Sequence, residues 1–371
     1  MRLDTLTSLR FFAAAAIVIG HAHSSFGSAG LAISFPLDQG VSFFFVLSGF
    51  ILAYTYPNLR EVSSVRHFWI ARFARIWPAH LATLLLVTIV APNMPPVEHR
   101  LSITLANILL LQSWLPFRDS ILSYNGVAWS ISTEFFFYLC FPVLIHNWQK
   151  NWYLKLLFTA ALTTGVIIIC NVFNLPSDSS YRGLVGGWGL VYIHPITRLF
   201  EFTVGIAACN FYKKINTAHI SRNHANLMEI FALSIMLFSS WILLQVSNSV
   251  LLSSAIGKAG AEWLRSSGSV FVFAGAIVIF ALQKGIVSQC LKLPFLVLLG
   301  EISFSVYLVH TIVLHWYESN TQWFSTIDLP LVYCAYWLAV LCLSYLIYKR
   351  VECPARIWIL NKTINVKIYH V

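Results

Sequence analysis

Two histidines, His21 and His23, stand near the end of the apolar run that opens the chain, and a third, His310, closes the stretch Ser303-Phe304-Ser305-Val306-Tyr307-Leu308-Val309-His310. Imidazole has an ordinary pKa of about 6.5, which suits it to take up and return a proton at neutral pH. On a helix, positions 21 and 23 point about 200° apart, so only one can face inward. Arg10 and His21 fall on one face, about 16 Å apart along the axis. His310 shares a face with Ser303 and Tyr307. Buried histidines of this kind are most often packing residues held by a hydrogen bond, and the functional reading has to be weighed against that. In Trp129-Ser130-Ile131-Ser132-Thr133-Glu134, the carboxylate has Ser130 and Tyr138 four residues to either side, a polar stripe in an aromatic segment. Arg72 and Arg75, three residues apart, project side by side as a two-guanidinium clamp for phosphate, a task for which arginine is better suited than lysine. The bland alternative is attraction to anionic lipid. Arg198 and Glu201 can neutralise each other within one helix turn, and Glu301 lies about seven residues into its own apolar stretch.

These groups matter because of what surrounds them. Of 371 residues, 58% are hydrophobic and only 10% charged, with mean hydropathy +0.73, whereas a soluble domain carries about 25% charged residues. A soluble enzyme and a disordered chain are excluded, leaving an all-α polytopic membrane bundle. Uncharged runs at 11–37, 39–59, 76–97, 156–177, 230–257, 266–283 and 329–348 are each long enough to cross. Three further stretches, 127–147, 190–212 and 294–316, are interrupted by the charges named above. These make ten transmembrane helices. Residues 101–116 would reach only about 24 Å of a core about 30 Å thick. Val65 to Trp77 reads as an amphipathic surface helix anchored by Phe68, Trp69 and Trp77, with Pro78 bending the chain into the third span. Each charge inside a span costs about 2.5–3.5 kcal/mol on insertion scales, so each is a candidate for function.

Charge placement fixes the topology. If 101–116 does not cross, eighteen of the 24 basic residues fall on one side, and positive-inside orientation makes that side, with both termini, cytoplasmic. The stretch 101–116 then reads as a short re-entrant or interfacial helix. The net charge of +10 is accounted for by orientation, with no need of nucleic acid. Seven cysteines without a CxxC pair argue against a zinc site and a disulfide framework. No repeat, low-complexity tract or break in composition divides residues 1–371, which are expected to form a single integral domain with no appended soluble module.

Taken in order, Leu3-Asp4, Leu9-Arg10 with His21, Phe43-Phe44-Phe45-Val46-Leu47-Ser48-Gly49-Phe50, Arg72-Phe73-Ala74-Arg75-Ile76-Trp77-Pro78, Trp129-Ser130-Ile131-Ser132-Thr133-Glu134, Ile302 to His310 and Val351-Glu352-Cys353-Pro354 resemble the acyltransferase 3 family of integral membrane acyltransferases. The resemblance implies transfer of an acyl group, most often acetyl, from cytoplasmic acyl-CoA to a hydroxyl of a sugar or related acceptor. Arg10 and His21 match the family's arginine and essential histidine of the first span, Arg72 and Arg75 its RxxR pair, and Glu134 its acidic residue after a Trp-Ser pattern. Acyl-CoA would be a co-substrate, with no tightly bound cofactor and no metal, and the acceptor a surface polysaccharide or glycolipid of a bacterial inner membrane.

The resulting expectation is that Arg72 and Arg75, with Arg10, hold the phosphates of the donor. His21 deprotonates the acceptor hydroxyl, and Glu134 orients the imidazole if it lies within reach. Direct transfer and an acyl-histidine intermediate are both consistent with these residues. The competing expectation is a transporter or flippase for an anionic glycolipid or metabolite, using the same charges as a substrate path. The acceptor, the acyl length and the oligomeric state are not encoded in any of these motifs.

Overall fold

The computed structural model describes residues 2–27, 39–90, 100–115, 117–177, 185–217 and 220–364. Its helices run, in order, α1 (Asp4–Phe26), α2 (Gly40–Thr55), α3 (Val62–Val90), α4 (Arg100–Ile108), α5 (Arg118–Ile121), α6 (Trp129–Ile145), α7 (Trp148–Val172), α8 (Pro195–Ile215), α9 (Arg222–Ser247), α10 (Val250–Ser267), α11 (Val270–Ala281), α12 (Ile286–Leu291), α13 (Pro294–Ser319), α14 (Leu329–Ile347) and α15 (Cys353–Ile364). Proline occupies the first turn of α8, α13 and α14, where its missing N–H costs nothing. Eight helical stretches are long and apolar enough to cross a membrane. The 16-residue α2 and the charge-bearing α8 complete the polytopic helical bundle.

Three segments bear on the expectation drawn from sequence, and two of them differ from it. First, α3 is one continuous 29-residue helix with Pro78 inside it, so the surface helix and the third span are a single rod. A proline removes one backbone hydrogen bond but need not end a helix that is packed on both sides. Phe68, expected as an interfacial anchor, is buried against Tyr56 and Phe141. The Trp69 and Trp77 indoles donate to the carbonyls of Tyr138 and Ile108, each at 3.0 Å. Second, 101–116 holds a short helix as expected: α4 ends at Ile108, and a 3-10 turn follows at Gln112–Trp114. Nine residues reach about 14 Å, too short to cross. Third, the run 230–257 is not one span. Helix α9 stops at Ser247, and α10 breaks at Gly257, whose φ of +73° only glycine adopts readily. Asn171 of α7 spans that break, donating to the Ile256 carbonyl at 2.9 Å and accepting from the Ala259 amide at 3.1 Å.

Two close helix crossings hold the bundle around the site. At α2 and α8, Gly49 faces the Phe202 carbonyl and Gly205 the Val46 carbonyl. A Cβ on either glycine would sit 2.0 Å from the opposing oxygen. At α1 and α13, a Cβ on Gly300 would sit 2.0 Å from the Thr7 carbonyl. Without a hydrophobic drive between helices in lipid, such backbone approach is a main source of association.

Candidate active site

A cavity of about 130 Å³ lies among α1, α2, α3, α6 and α13. Arg10, Arg72, Arg75 and Glu134, which are spread over 125 residues of sequence, all line it, with Ser48 and Tyr307. Its volume is close to that of an engineered core cavity that accepts one benzene molecule, about 150 Å³. A cavity of this size holds a small group and not a whole nucleotide.

The three guanidinium groups are not equivalent. Arg75 pairs with the fully buried Glu352, which also accepts from Ser305 at 3.2 Å, and stacks over Phe304 at 5.9 Å. Arg72 makes a long hydrogen bond of 3.3 Å to the Tyr56 hydroxyl and lies over that ring at 5.4 Å, while its buried Nε has no hydrogen-bond partner. Arg10 lies in the field of Arg75, Glu134 and Glu352. An exposed fourth arginine, Arg356 on α15, shares the electrostatic neighbourhood of Arg72 and Arg75. With Arg75 neutralised, Arg10 and Arg72 carry the spare donor capacity. A buried donor without a partner is costly, and one facing a cavity beside other cations suits an anionic ligand.

Glu134 Oε1 accepts from the Ser48 hydroxyl at 2.8 Å and from Tyr138 at 2.7 Å. The polar stripe seen in sequence is therefore real for Tyr138. Ser130 instead donates to the Tyr307 hydroxyl at 2.8 Å.

His21 does not line the cavity. Its Nδ1 lies 2.9 Å from Nε2 of His310, and the two rings are nearly parallel, at 12°. The imidazole thus has His310 as an orienting neighbour, while Glu134 bonds to Ser48 and Tyr138. His310 is fully buried and its Nδ1 approaches the Val306 carbonyl at 3.3 Å, whereas His21 is exposed. One assignment of tautomers satisfies both contacts. A carbonyl only accepts, so His310 Nδ1 carries a proton and Nε2 a lone pair. His21 Nδ1 then donates to it, and the basic lone pair of His21 resides on Nε2. Tyr307 links the two regions, since it lines the cavity and its ring centroid is 5.9 Å from that of His310. His23 is exposed on another face of α1.

Other charges in the spans have structural partners. Arg198 and Glu201 form a buried ion pair at 3.1 Å, and Glu201 also accepts from Ser42 at 2.7 Å. Glu301 accepts from Arg2 and from Tyr348 at 3.2 Å. Glu229 accepts the amides of Gly285 at 2.8 Å and Ser288 at 3.0 Å, capping α12. Sequence reasoning quoted Glu352 only as part of a closing motif and gave it no role, and it passed over Tyr56 and Arg356. The available signal was that Glu352 is the one acidic residue after the last span. For His310 the signal was depth, since it and His21 lie about 25 Å into their respective helices.

A helical membrane bundle with cations and a carboxylate around a small cavity, and a histidine pair one helical turn away, defines an integral membrane enzyme. The chain belongs to the acyltransferase 3 family, whose acyltransferase-domain model matches residues 3–349, and it is an O-acyltransferase. Acyltransferase MdmB of Streptomyces mycarofaciens is 30% identical over 338 residues, covering 85% of this chain and 80% of that protein. Peptidoglycan O-acetyltransferase OatA of Listeria monocytogenes is 23% identical over 225 residues, 53% of this chain and 35% of that longer protein. Nodulation protein 10 of Rhizobium leguminosarum is 23% identical over 272 residues, 62% of this chain and 72% of that protein. No solved structure matches the chain.

Proposed function

We propose that this acyltransferase moves an acetyl or similarly short acyl group from acyl-CoA to a sugar hydroxyl of a surface polysaccharide or glycolipid in a bacterial inner membrane. The observation that carries the reading is the cavity itself, too small for more than a short acyl thioester and lined by Arg10, Arg72 and Arg75. Arg72, with Arg356 near it, engages the phosphates of coenzyme A, and Arg75 is held in place by Glu352. Both termini and these arginines face the cytoplasm, where the donor resides. Glu134 serves as the polar wall that fixes Ser48 and Tyr138 and offsets the cations, rather than as the partner of the base.

Transfer then needs one proton relay. His21 Nε2 removes the proton of the acceptor hydroxyl, whose oxygen attacks the thioester carbonyl carbon. The carbon–sulfur bond breaks, and the imidazolium returns the proton to the leaving thiolate. The buried His310 holds the ring and shares the charge that develops on it. The exposure of His21 lets a bulky acceptor reach it, while the donor end occupies the cavity. The family relative named as a peptidoglycan O-acetyltransferase supports a carbohydrate acceptor.

Purified protein given radiolabelled acetyl-CoA and candidate glycans tests the reading. Covalent label on a glycan that disappears in His21→Ala is the expected result. Movement of glycan across proteoliposomes without modification would instead establish a transporter.

A further inference from the structure

At the end of the bundle where α7 and α9 begin and α8 and α11 end, two concavities adjoin. One, of about 670 Å³, is a groove among these four helices, with Trp152, Leu156, Phe211, Phe271 and Val278 on its walls and Gly275 in its floor. The other, of about 380 Å³, lies between the α2–α3 turn, the α6–α7 turn and the end of α8. It is cationic, with Arg60, His146, Lys150 and Lys213 around it. The two share Trp148, Gln149 and Asn210, and Gln149 donates to Asn210 at 2.9 Å across that boundary. Neither shares a residue with the cavity lined by Arg72 and Arg75.

Each half is unusual alone, and the pair has one chemical meaning. Arg60, Lys150 and Lys213 are exposed, and no ion pair is formed by any of them among the described residues. Lys213 spends one of its three donors on the Ala53 carbonyl at 2.7 Å, which holds the ammonium at the mouth of the cationic concavity. Lys214 lines the apolar groove itself. In the groove, a Cβ on Gly275 would meet no atom within 4 Å, so the floor is open rather than packed. Both volumes fall within the range of about 300–1,000 Å³ typical of small-molecule sites. A cationic cup adjoining an apolar trough at the edge of a membrane bundle matches an amphiphile with an anionic head and a hydrocarbon tail. A soluble anion would leave the trough unused, and a neutral lipid would leave the gathering of three cations around one concavity unused.

We infer that the groove among α7, α8, α9 and α11 binds one anionic glycerophospholipid, with its phosphate at Arg60, Lys150 and Lys213 and an acyl chain over Gly275. The bound lipid would fill the seam between the α7–α8 pair and the α9–α11 pair, acting as a structural element outside the catalytic cavity.

Native mass spectrometry of the detergent-purified full chain tests this, using phosphatidylglycerol and phosphatidylcholine as probes. One high-affinity phosphatidylglycerol adduct is expected, with phosphatidylcholine at least ten-fold weaker. Arg60→Gln and Lys150→Gln should each weaken the phosphatidylglycerol adduct about five-fold. Gly275→Leu, which projects into open space, should abolish it while leaving the melting temperature of the delipidated protein unchanged. Equal binding of the two lipids overturns the inference, as does phosphatidylglycerol binding that survives all three substitutions. Displacement by glycerol 3-phosphate alone would also overturn it, since the tail would then contribute nothing. None of these readings depends on acyl transfer, so failure of the proposed reaction leaves them interpretable.

Discussion

In the proposed mechanism, the pairing of His21 with His310 makes two histidines that are individually unremarkable into a directional proton acceptor. Its consequence is testable by graded substitution. Replacing His21 by Ala should lower acyl transfer by about 10²–10⁴-fold, the usual contribution of a positioned base. His310→Gln retains an acceptor for His21 Nδ1–H and should lose less activity than His310→Ala, with the KM for donor unchanged in both. Equal losses in the two His310 variants would remove the tautomer argument. Arg72 makes a different prediction. Its hydrogen bond to Tyr56 is long and its Nε lacks a partner, so Arg72→Gln should leave the melting temperature nearly unchanged. The lost contact is with a charged ligand, worth about 1.5–3 kcal/mol, and should raise the donor KM ten-fold or more.

Among the elements, α3 and α15 act as a unit. The arginines of α3 are set by a carboxylate at the junction of α14 and α15, because Glu352 is buried and pairs with Arg75. Removing one member of a buried ion pair leaves the other uncompensated and typically costs about 3–5 kcal/mol. Glu352→Gln and Arg75→Gln should each depress thermal stability in detergent, and the double substitution should be less destabilised than the sum. Additive losses would mean that the pair is not coupled. The α2–α8 crossing is the other critical contact. Gly205→Ala places a methyl group 2.0 Å from the Val46 carbonyl, and the helices must part, at a cost of about 1–3 kcal/mol by analogy with overpacked cores. Because α2 carries Ser48, the bond to Glu134 should loosen at the same time, and activity should fall with stability.

Across the molecule, charge asymmetry sets orientation and divides the two chemical ends. On the proposed topology, the cavity arginines, the ion pair of Arg75 with Glu352 and the cationic cup all lie at the cytoplasmic end, from which the proposed donor would enter. Cys290, exposed on α12 at that same end, should react with a membrane-impermeant maleimide in inverted vesicles and not in intact cells. Labelling from outside would invert the topology and, with it, the side from which the donor enters.

Composition and uncharged run lengths determined the class and its helices, because a bilayer admits few ways to satisfy a backbone. The spacing of Arg72 and Arg75, and the oddity of Glu134 in an apolar segment, marked three of the cavity's walls. Their partners were not legible, since hydrogen bonds in a helical bundle join residues far apart in sequence. His21 and His310 are 289 residues apart, and Arg75 and Glu352 are 277 apart. The continuity of α3 through Pro78 overrides local propensity, and the break of α10 joins a conformation that glycine permits at position 257 to the Asn171 side chain that spans it. Sequence alone thus determined that the charges must be expensive, because their cost depends on the surrounding lipid. Only the tertiary structure decided which of them are neutralised and which face the cavity, because that depends on which helices touch.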